Sequence, residues 1–234
     1  MVTSEQYLGL DDSKLVNFKD CPNRMQVLNA DRDALKALVM LVEDAATQGF
    51  ELRVASAYRS FYKQFKIFDD KFKGKRPVLD EKEEPIDISL LSDEEKFLNI
   101  IRFSAIPGFS LHHFCTDFDI YPINLLPEGK QLELTAREYD KGNYFYPFGQ
   151  YLNLRMQKFG FIRPFNGKGL IAKEPWHISF KKKADEFLQA FNIDEALEYL
   201  SSFKEPWVKY AVAYEKEHYK ELLVKTSPTR YIKP

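Results

Sequence analysis

Three of the four histidines in this 234-residue chain fall in two short carboxylate-bearing stretches, Ser110-Leu111-His112-His113-Phe114-Cys115-Thr116-Asp117-Phe118-Asp119 and Glu174-Pro175-Trp176-His177. Imidazole nitrogen and carboxylate oxygen are ligands that zinc accepts readily, and a catalytic zinc needs only three of them because a water takes the fourth position. Two histidines and one carboxylate suffice. His113, Asp117 and Asp119 share parity on a strand, whereas pairing His112 with Asp119 needs a bend or bulge between them. Periodicity leaves the choice between His112 and His113 open. Glu174 stands three residues before His177, where a carboxylate could take a proton from a zinc-activated water and pass it to a leaving amine. Arg59 is the candidate cation, since guanidinium binds a carboxylate or a developing oxyanion with paired hydrogen bonds. Ser110 reads equally as a donor to substrate and as a turn residue.

These residues need a scaffold, and hydrophobic spacing outlines one. From Asp31 to Gly49 apolar residues recur every three or four positions and stop on a glycine, which predicts an amphipathic helix. Phe50 to Ser56 alternates apolar and polar, a short half-buried strand that delivers Arg59 near its end. Phe61, Phe65, Phe68 and Phe72 resume helical spacing, with Gln64 one turn in. Lys73 to Asp93 carries two prolines, many charges and little period, and reads as a long surface excursion, either a lid or an insertion. Ser92-Asp93-Glu94-Glu95 is a helix start, and Pro107-Gly108 places the first histidine stretch on a turn. A helix ending at Gly160, strand-like Phe161 to Pro164 and strand-like Trp176 to Phe180 follow. Ala184 to Phe191 with Asp194 to Phe203, and Pro206 to Val224, read as helical segments. The expected organisation is a catalytic domain over residues 1–183, with its motifs within 49–180, and a helical C-terminal extension over 184–234. Glu205-Pro206-Trp207 repeats Glu174-Pro175-Trp176 without the histidine and offers no ligand.

Composition excludes several classes. Hydrophobic residues make up 44% of the chain and aromatics 15%, which is incompatible with disorder as the main state. With 34 basic and 35 acidic side chains the net charge is -1, so no global electrostatic footprint for nucleic acid exists, and the run Lys181-Lys182-Lys183 reads as a solvated helix face. Two cysteines, Cys21 and Cys115, are too few for a disulfide scaffold, and nothing supports a bond between them. No membrane-spanning segment and no signal peptide are evident, so the chain as written reads as soluble and cytoplasmic; a chain trimmed of an export signal would read the same.

Taken in order, Ser56-Ala57-Tyr58-Arg59-Ser60 with Gln64, Pro107-Gly108-Phe109-Ser110-Leu111-His112, Asp119-Ile120 and Glu174-Pro175-Trp176-His177 resemble the zinc D-Ala-D-Ala carboxypeptidase family, the VanY-type group related to the vancomycin-resistance D,D-dipeptidases. Its pattern is S-x-Y-R-S-x-x-x-Q, P-G-x-S-x-H-x-x-G-x-A-x-D-[IL] and E-x-W-H, and the likeness spans roughly residues 49–180. The resemblance implies an α+β fold, with a small antiparallel sheet carrying a Zn2+ site, flanked by helices. It implies zinc on His112, Asp119 and His177, with His113 left beside the site, and Glu174 as general base. Arg59 would hold substrate or the tetrahedral oxyanion, and Gln64, Ser110 and Trp176 would help bind peptide. The implied substrate is a peptidoglycan stem peptide or another D-Ala-terminated peptide, cut as a D-alanyl-D-alanine carboxypeptidase cuts it. Alternatives on the same residues are an L,D-carboxypeptidase, a peptidoglycan endopeptidase, or a zinc- or wall-binding module without turnover.

Two positions depart from the family pattern, with Cys115 and Asp117 where it has glycine and alanine. A position that needs positive φ disfavours cysteine, and a buried aspartate needs a partner, so a different local path is expected. Cys115 reads as a packed side chain in preference to a stray ligand. Asp117 reads as the partner of a basic substrate group or of a lysine.

Overall fold

The computed structural model describes residues 1–17, 28–167 and 171–226, the last seven of these as backbone. Cys21 and residues 227–234 of the C-terminal extension lie outside the described residues. A one-turn helix α1 (Ser4–Tyr7) precedes a two-residue ribbon of β1 (Val16–Asn17) and β2 (Asn29–Ala30). Helix α2 (Arg32–Thr47) begins where Asp31 accepts hydrogen bonds from the backbone of Asp33 and Ala34, and it buries Ala34, Leu38, Leu41 and Ala45 on one face. Strand β3 (Leu52–Ser56) follows, and Ser60 caps α3 (Phe61–Phe72) by accepting from Lys63 N. These bounds agree with the spacing of the apolar residues.

The charged stretch after α3 is more ordered than its sequence suggests. It folds back as a hairpin of β4 (Val78–Leu79) and β5 (Pro85–Ile86), with the Asp80 carboxylate accepting from Lys82 N and Glu84 N across the turn. Strands of two residues are too short to show a period, which is why the stretch looks irregular. At the tip, Glu83 accepts from Ala136 N and Arg137 N, so the hairpin is tied to a distant loop. Helix α4 (Asp93–Ile101) starts on a reciprocal capping box between Ser92 and Glu95.

Strand β6 (Asp117–Pro122), helix α5 (Tyr146–Arg155), and strands β7 (Phe161–Ile162) and β8 (His177–Phe180) complete an antiparallel sheet of order β3-β6-β8-β7. Phe118, Ile120 and Ile178 point to one face, where they pack with α2 and α5 in the main core. Alternation then sends Asp117, Asp119 and His177 to the other face. The register pairs Asp119 with His177 on one side and with Ser56 on the other, next to an irregularity between Val54 and Ser56. The fold is therefore α+β, with a small antiparallel sheet between helices.

Helices α6 (Lys181–Ala190), α7 (Ile193–Ser201) and α8 (Val208–Thr226) follow the sheet. Helices α7 and α8 share a buried cluster with α3 and α4 in which Leu200, Trp207, Val208 and Ala211 meet Phe61, Phe68, Phe97 and Ile100, while α6 packs Phe187 against Phe114. Trp207 is fully buried against Phe65 and Phe68, so the repeated Glu-Pro-Trp serves packing. Lys181 and Lys183 pair with Asp185 and Glu186 along α6, as a solvated helix face does. Among the described residues no helix is long and apolar enough to cross a membrane.

Candidate metal centre

The first histidine stretch is not a strand where parity would apply. Leu111–Phe114 form a single 3-10 turn, and Cys115 closes it in the left-handed region at φ 58° before β6 begins. Successive side chains on such a turn point about 120° apart, so His112 and His113 diverge. His112 turns to the sheet: its Nε2 lies 3.2 Å from Asp119 Oδ2, and its Nδ1–H donates to Ala57 O at 2.8 Å. His113 turns away and donates from Nδ1 to Arg59 O at 2.6 Å, while its Nε2 accepts from Gly108 N at 3.0 Å. Burial pushes His113 down to about 3, which keeps it neutral and suited to this latch. Cys115 shows that the position does need positive φ. The cysteine adopts the conformation that glycine takes more cheaply and packs with Phe114 and Phe187.

The ligand-type atoms of His112, Asp119 and His177 all lie within 4.8 Å of one another, and all three residues are buried. His177 Nδ1 stands 3.1 Å from Asp119 Oδ1 and 3.3 Å from Glu174 Oε2. Its other nitrogen, Nε2, meets Asp117 Oδ1 at 2.9 Å, and Asp117 Oδ2 accepts from Thr116 Oγ1 at 2.5 Å. Asp117 therefore partners neither substrate nor lysine, contrary to expectation. It sits diagonally across the β6–β8 pair from His177, a relation that appears only once the two strands are in register. Each histidine thus gives one N–H to the protein, His112 to a carbonyl and His177 to a carboxylate, and directs its remaining nitrogen at Asp119. That is how metal-ligating histidines are oriented.

The electrostatics agree. Burial alone would lower the proton affinity of His177, but Asp117, Asp119 and Glu174 together raise it well above that of an ordinary histidine. Burial likewise works against ionised Asp119, yet His112 and His177 hold its carboxyl far below the usual range. Among the described residues Asp119 Oδ1 has no hydrogen-bond donor of good geometry although it is fully enclosed. An enclosed carboxylate oxygen set between two imidazoles and lacking a donor of good geometry calls for a cation, either the protons these histidines hold or a metal that replaces them. Two imidazole nitrogens and one carboxylate fit a metal cofactor.

A pocket of about 230 Å³ opens on this cluster. Arg59 reaches it from the loop after β3, with Nη2 3.8 Å from Asp119 Oδ2, and is fixed by Nη2 donating to Ser56 Oγ and Nη1 donating to Gln64 Oε1. Gln64 is fully buried and its Nε2 donates to Ala105 O, so both ends of its amide are engaged within the protein. Gln64 lines the pocket, and its Oε1 fixes the Arg59 guanidinium there. Ser110, Glu174 and Trp176 line the same pocket. Leu79 from the hairpin and Lys71 from α3 line it too, and neither is marked by any motif. A wider groove of about 690 Å³, beside α1 and α6, borders His113 and Cys115 and, among the described residues, gathers no such ligand set.

Residues 28–183 match the model of the VanY family, described as D-alanyl-D-alanine carboxypeptidase. The chain belongs to this family. It is accordingly a carboxypeptidase-family metalloenzyme, and its described site holds the motif residues of that family together in one pocket. Two uncharacterized proteins of Haemophilus influenzae are similar to it: one is 37% identical over 91 residues, 38% of this chain and 70% of its own length, and the other 34% identical over 105 residues, 45% and 70%. Among solved structures, VanYB in complex with D-alanine-D-alanine has a TM-score of 0.52 at 20% identity, covering 83% of this chain and 91% of the other. A mutant of the vancomycin-resistance D,D-pentapeptidase VanY from a VanB-type cassette, in complex with Zn(II), has a TM-score of 0.51 at 20% identity, covering 80% and 90%. At that identity these two structures establish the shared α+β fold.

Proposed function

We propose that the protein is a zinc-dependent D-alanyl-D-alanine carboxypeptidase acting on peptidoglycan stem peptides or their precursors. His112 Nε2, an oxygen of Asp119 and His177 Nδ1 would hold the ion, which when bound supplies Lewis acidity toward the scissile carbonyl and acidifies the attacking water. Glu174 is the base: its Oε2 stands beside the metal-facing nitrogen of His177 and is free of any lysine or arginine pair among the described residues. It takes the proton of the attacking water and delivers it to the leaving amine. Arg59, held rigid by Ser56 and Gln64, donates to the oxygen on which charge develops, and a preorganised donor loses no reorganisation energy at that moment. Ser110 and Trp176 shape the wall against which the peptide lies.

The observation that carries this reading is the proximity of Glu174 to the His112–Asp119–His177 cluster inside a pocket. A purely structural zinc site closes all four positions with protein ligands and has no use for a base. The test is Glu174→Gln. The variant should keep stoichiometric zinc and lose kcat by about 10² to 10⁴ on D-Ala-D-Ala-terminated peptides, followed by mass spectrometry of the products. Unchanged turnover, or wild-type protein that releases no D-alanine when fully loaded with zinc, refutes it.

A further inference from the structure

Two cations line the pocket, and their situations differ. Arg59 is committed to Ser56, Gln64 and the neighbourhood of Asp119. Lys71 lies two turns beyond Gln64 on the same face of α3, about 10 Å further along the helix, and lines the same pocket as the metal cluster. Its Nζ donates to Ser104 Oγ at 2.7 Å, and Ser104 is itself buried in the same wall. Among the described residues Lys71 has no carboxylate partner. Glu133, the acidic residue on the opposite rim, is turned toward Arg137 and Lys130. Burial, with Arg76 and Arg59 nearby, pushes the Lys71 ammonium down to about 8, and Glu174 only partly offsets this.

A half-buried ammonium in a pocket wall beside one neutral hydroxyl is best satisfied when an anion arrives with the ligand. A peptide with its scissile carbonyl at the metal cluster sends its last residue away from the cluster, and that residue ends in a carboxylate. We propose that Lys71, steadied by Ser104, binds the free terminal carboxylate of the substrate and thereby sets the choice of chain ends over internal bonds. This rests on the carboxypeptidase reading above. An internal peptide segment brings no charge to this part of the pocket and covers the ammonium without giving it a counter-ion, so Lys71 selects by penalty as well as by attraction.

The experiment uses zinc-loaded Glu174→Gln protein, in which bound peptide persists, and calorimetry with an acetylated lysyl-D-alanyl-D-alanine acid and its C-terminal amide. The acid should bind more tightly than the amide. Adding Lys71→Met should weaken the acid about 10- to 100-fold and leave the amide unchanged, while Lys71→Arg retains most of the acid preference. Equal weakening of acid and amide, undiminished acid binding, or binding of neither peptide overturns the proposal. So does a Lys71 contribution that instead follows a side-chain carboxylate in an amidated peptide. Melting temperature and zinc stoichiometry of Lys71→Met check that the wall is intact. The carboxypeptidase reading fails separately, if wild-type protein binds the acid through Lys71 and never cleaves it.

Discussion

Replacing Asp117 by alanine, the residue the family pattern carries there, should cost this protein metal affinity more than stability. Asp117 and His177 are 0% and 2% exposed at their side chains, and the 2.9 Å contact between them is charge-assisted. Such a bond contributes roughly 1.5–3 kcal/mol when neither partner can turn to water. In the metal-loaded protein it would hold the proton on Nε2 and leave Nδ1 free to bind the ion beside Asp119. Without it the proton can move to Nδ1 and bond to Asp119 or Glu174, which rescues the fold but occupies the nitrogen a metal needs. At about 1.4 kcal/mol per decade, the expected loss is about 10- to 100-fold in zinc affinity. Proton competition at Nδ1 works against this, yet a divalent ion gains about twice what a proton gains from the same carboxylate. Competition against a chromophoric chelator measures the affinity, and urea unfolding of the metal-free protein measures stability. Asp117→Asn keeps an acceptor for Nε2–H without the charge and should fall between. Alanine and wild-type proteins with indistinguishable zinc affinity would refute the reasoning.

Two further outcomes concern the scaffold. His113→Ala removes the acceptor for Gly108 N–H and the donor for Arg59 O, both buried, and should lower unfolding free energy by about 3 kcal/mol in urea titrations; a loss under about 1 kcal/mol would mean that water replaces the ring. Glu215 is buried on α8, its Oε2 has no donor among the described residues, and burial pushes its carboxyl up to about 8. Because this folded value exceeds the unfolded value of about 4.3, the native state holds a proton that the unfolded chain releases. The stability this contributes is complete below about pH 4 and is lost as pH rises toward 8, at up to about 1.4 kcal/mol per unit. Glu215→Gln should flatten that slope in unfolding titrations between pH 5 and pH 8; parallel slopes would show that the carboxyl is charged in the native state.

Much of the fold was legible in local pattern. Helices α2, α3 and α4 are bounded by Asp31, Ser60 and Ser92, whose side chains accept from the next backbone N–H groups, and such caps depend on neighbours in the chain alone. The hairpin at Val78–Ile86 escaped because two-residue strands have no period and their pairing depends on Asp80 closing the turn. Lys71 and Leu79 escaped as pocket residues because no motif marks a wall assembled from separate elements.

The sequence by itself determined which residue types could hold a metal and where Glu174 and Arg59 stood relative to them, and the ordered motifs tied His112, Asp119 and His177 to one family. Residue spacing alone left the choice between His112 and His113 open. Tertiary structure separates them, because the 3-10 turn and the left-handed Cys115 rotate His112 toward the sheet and His113 toward Arg59. It also decided what Asp117 does. A carboxylate 60 residues from His177 becomes its hydrogen-bond partner only when β6 and β8 pair in register, and that pairing is set by burial of Phe118, Ile120 and Ile178 on the opposite face.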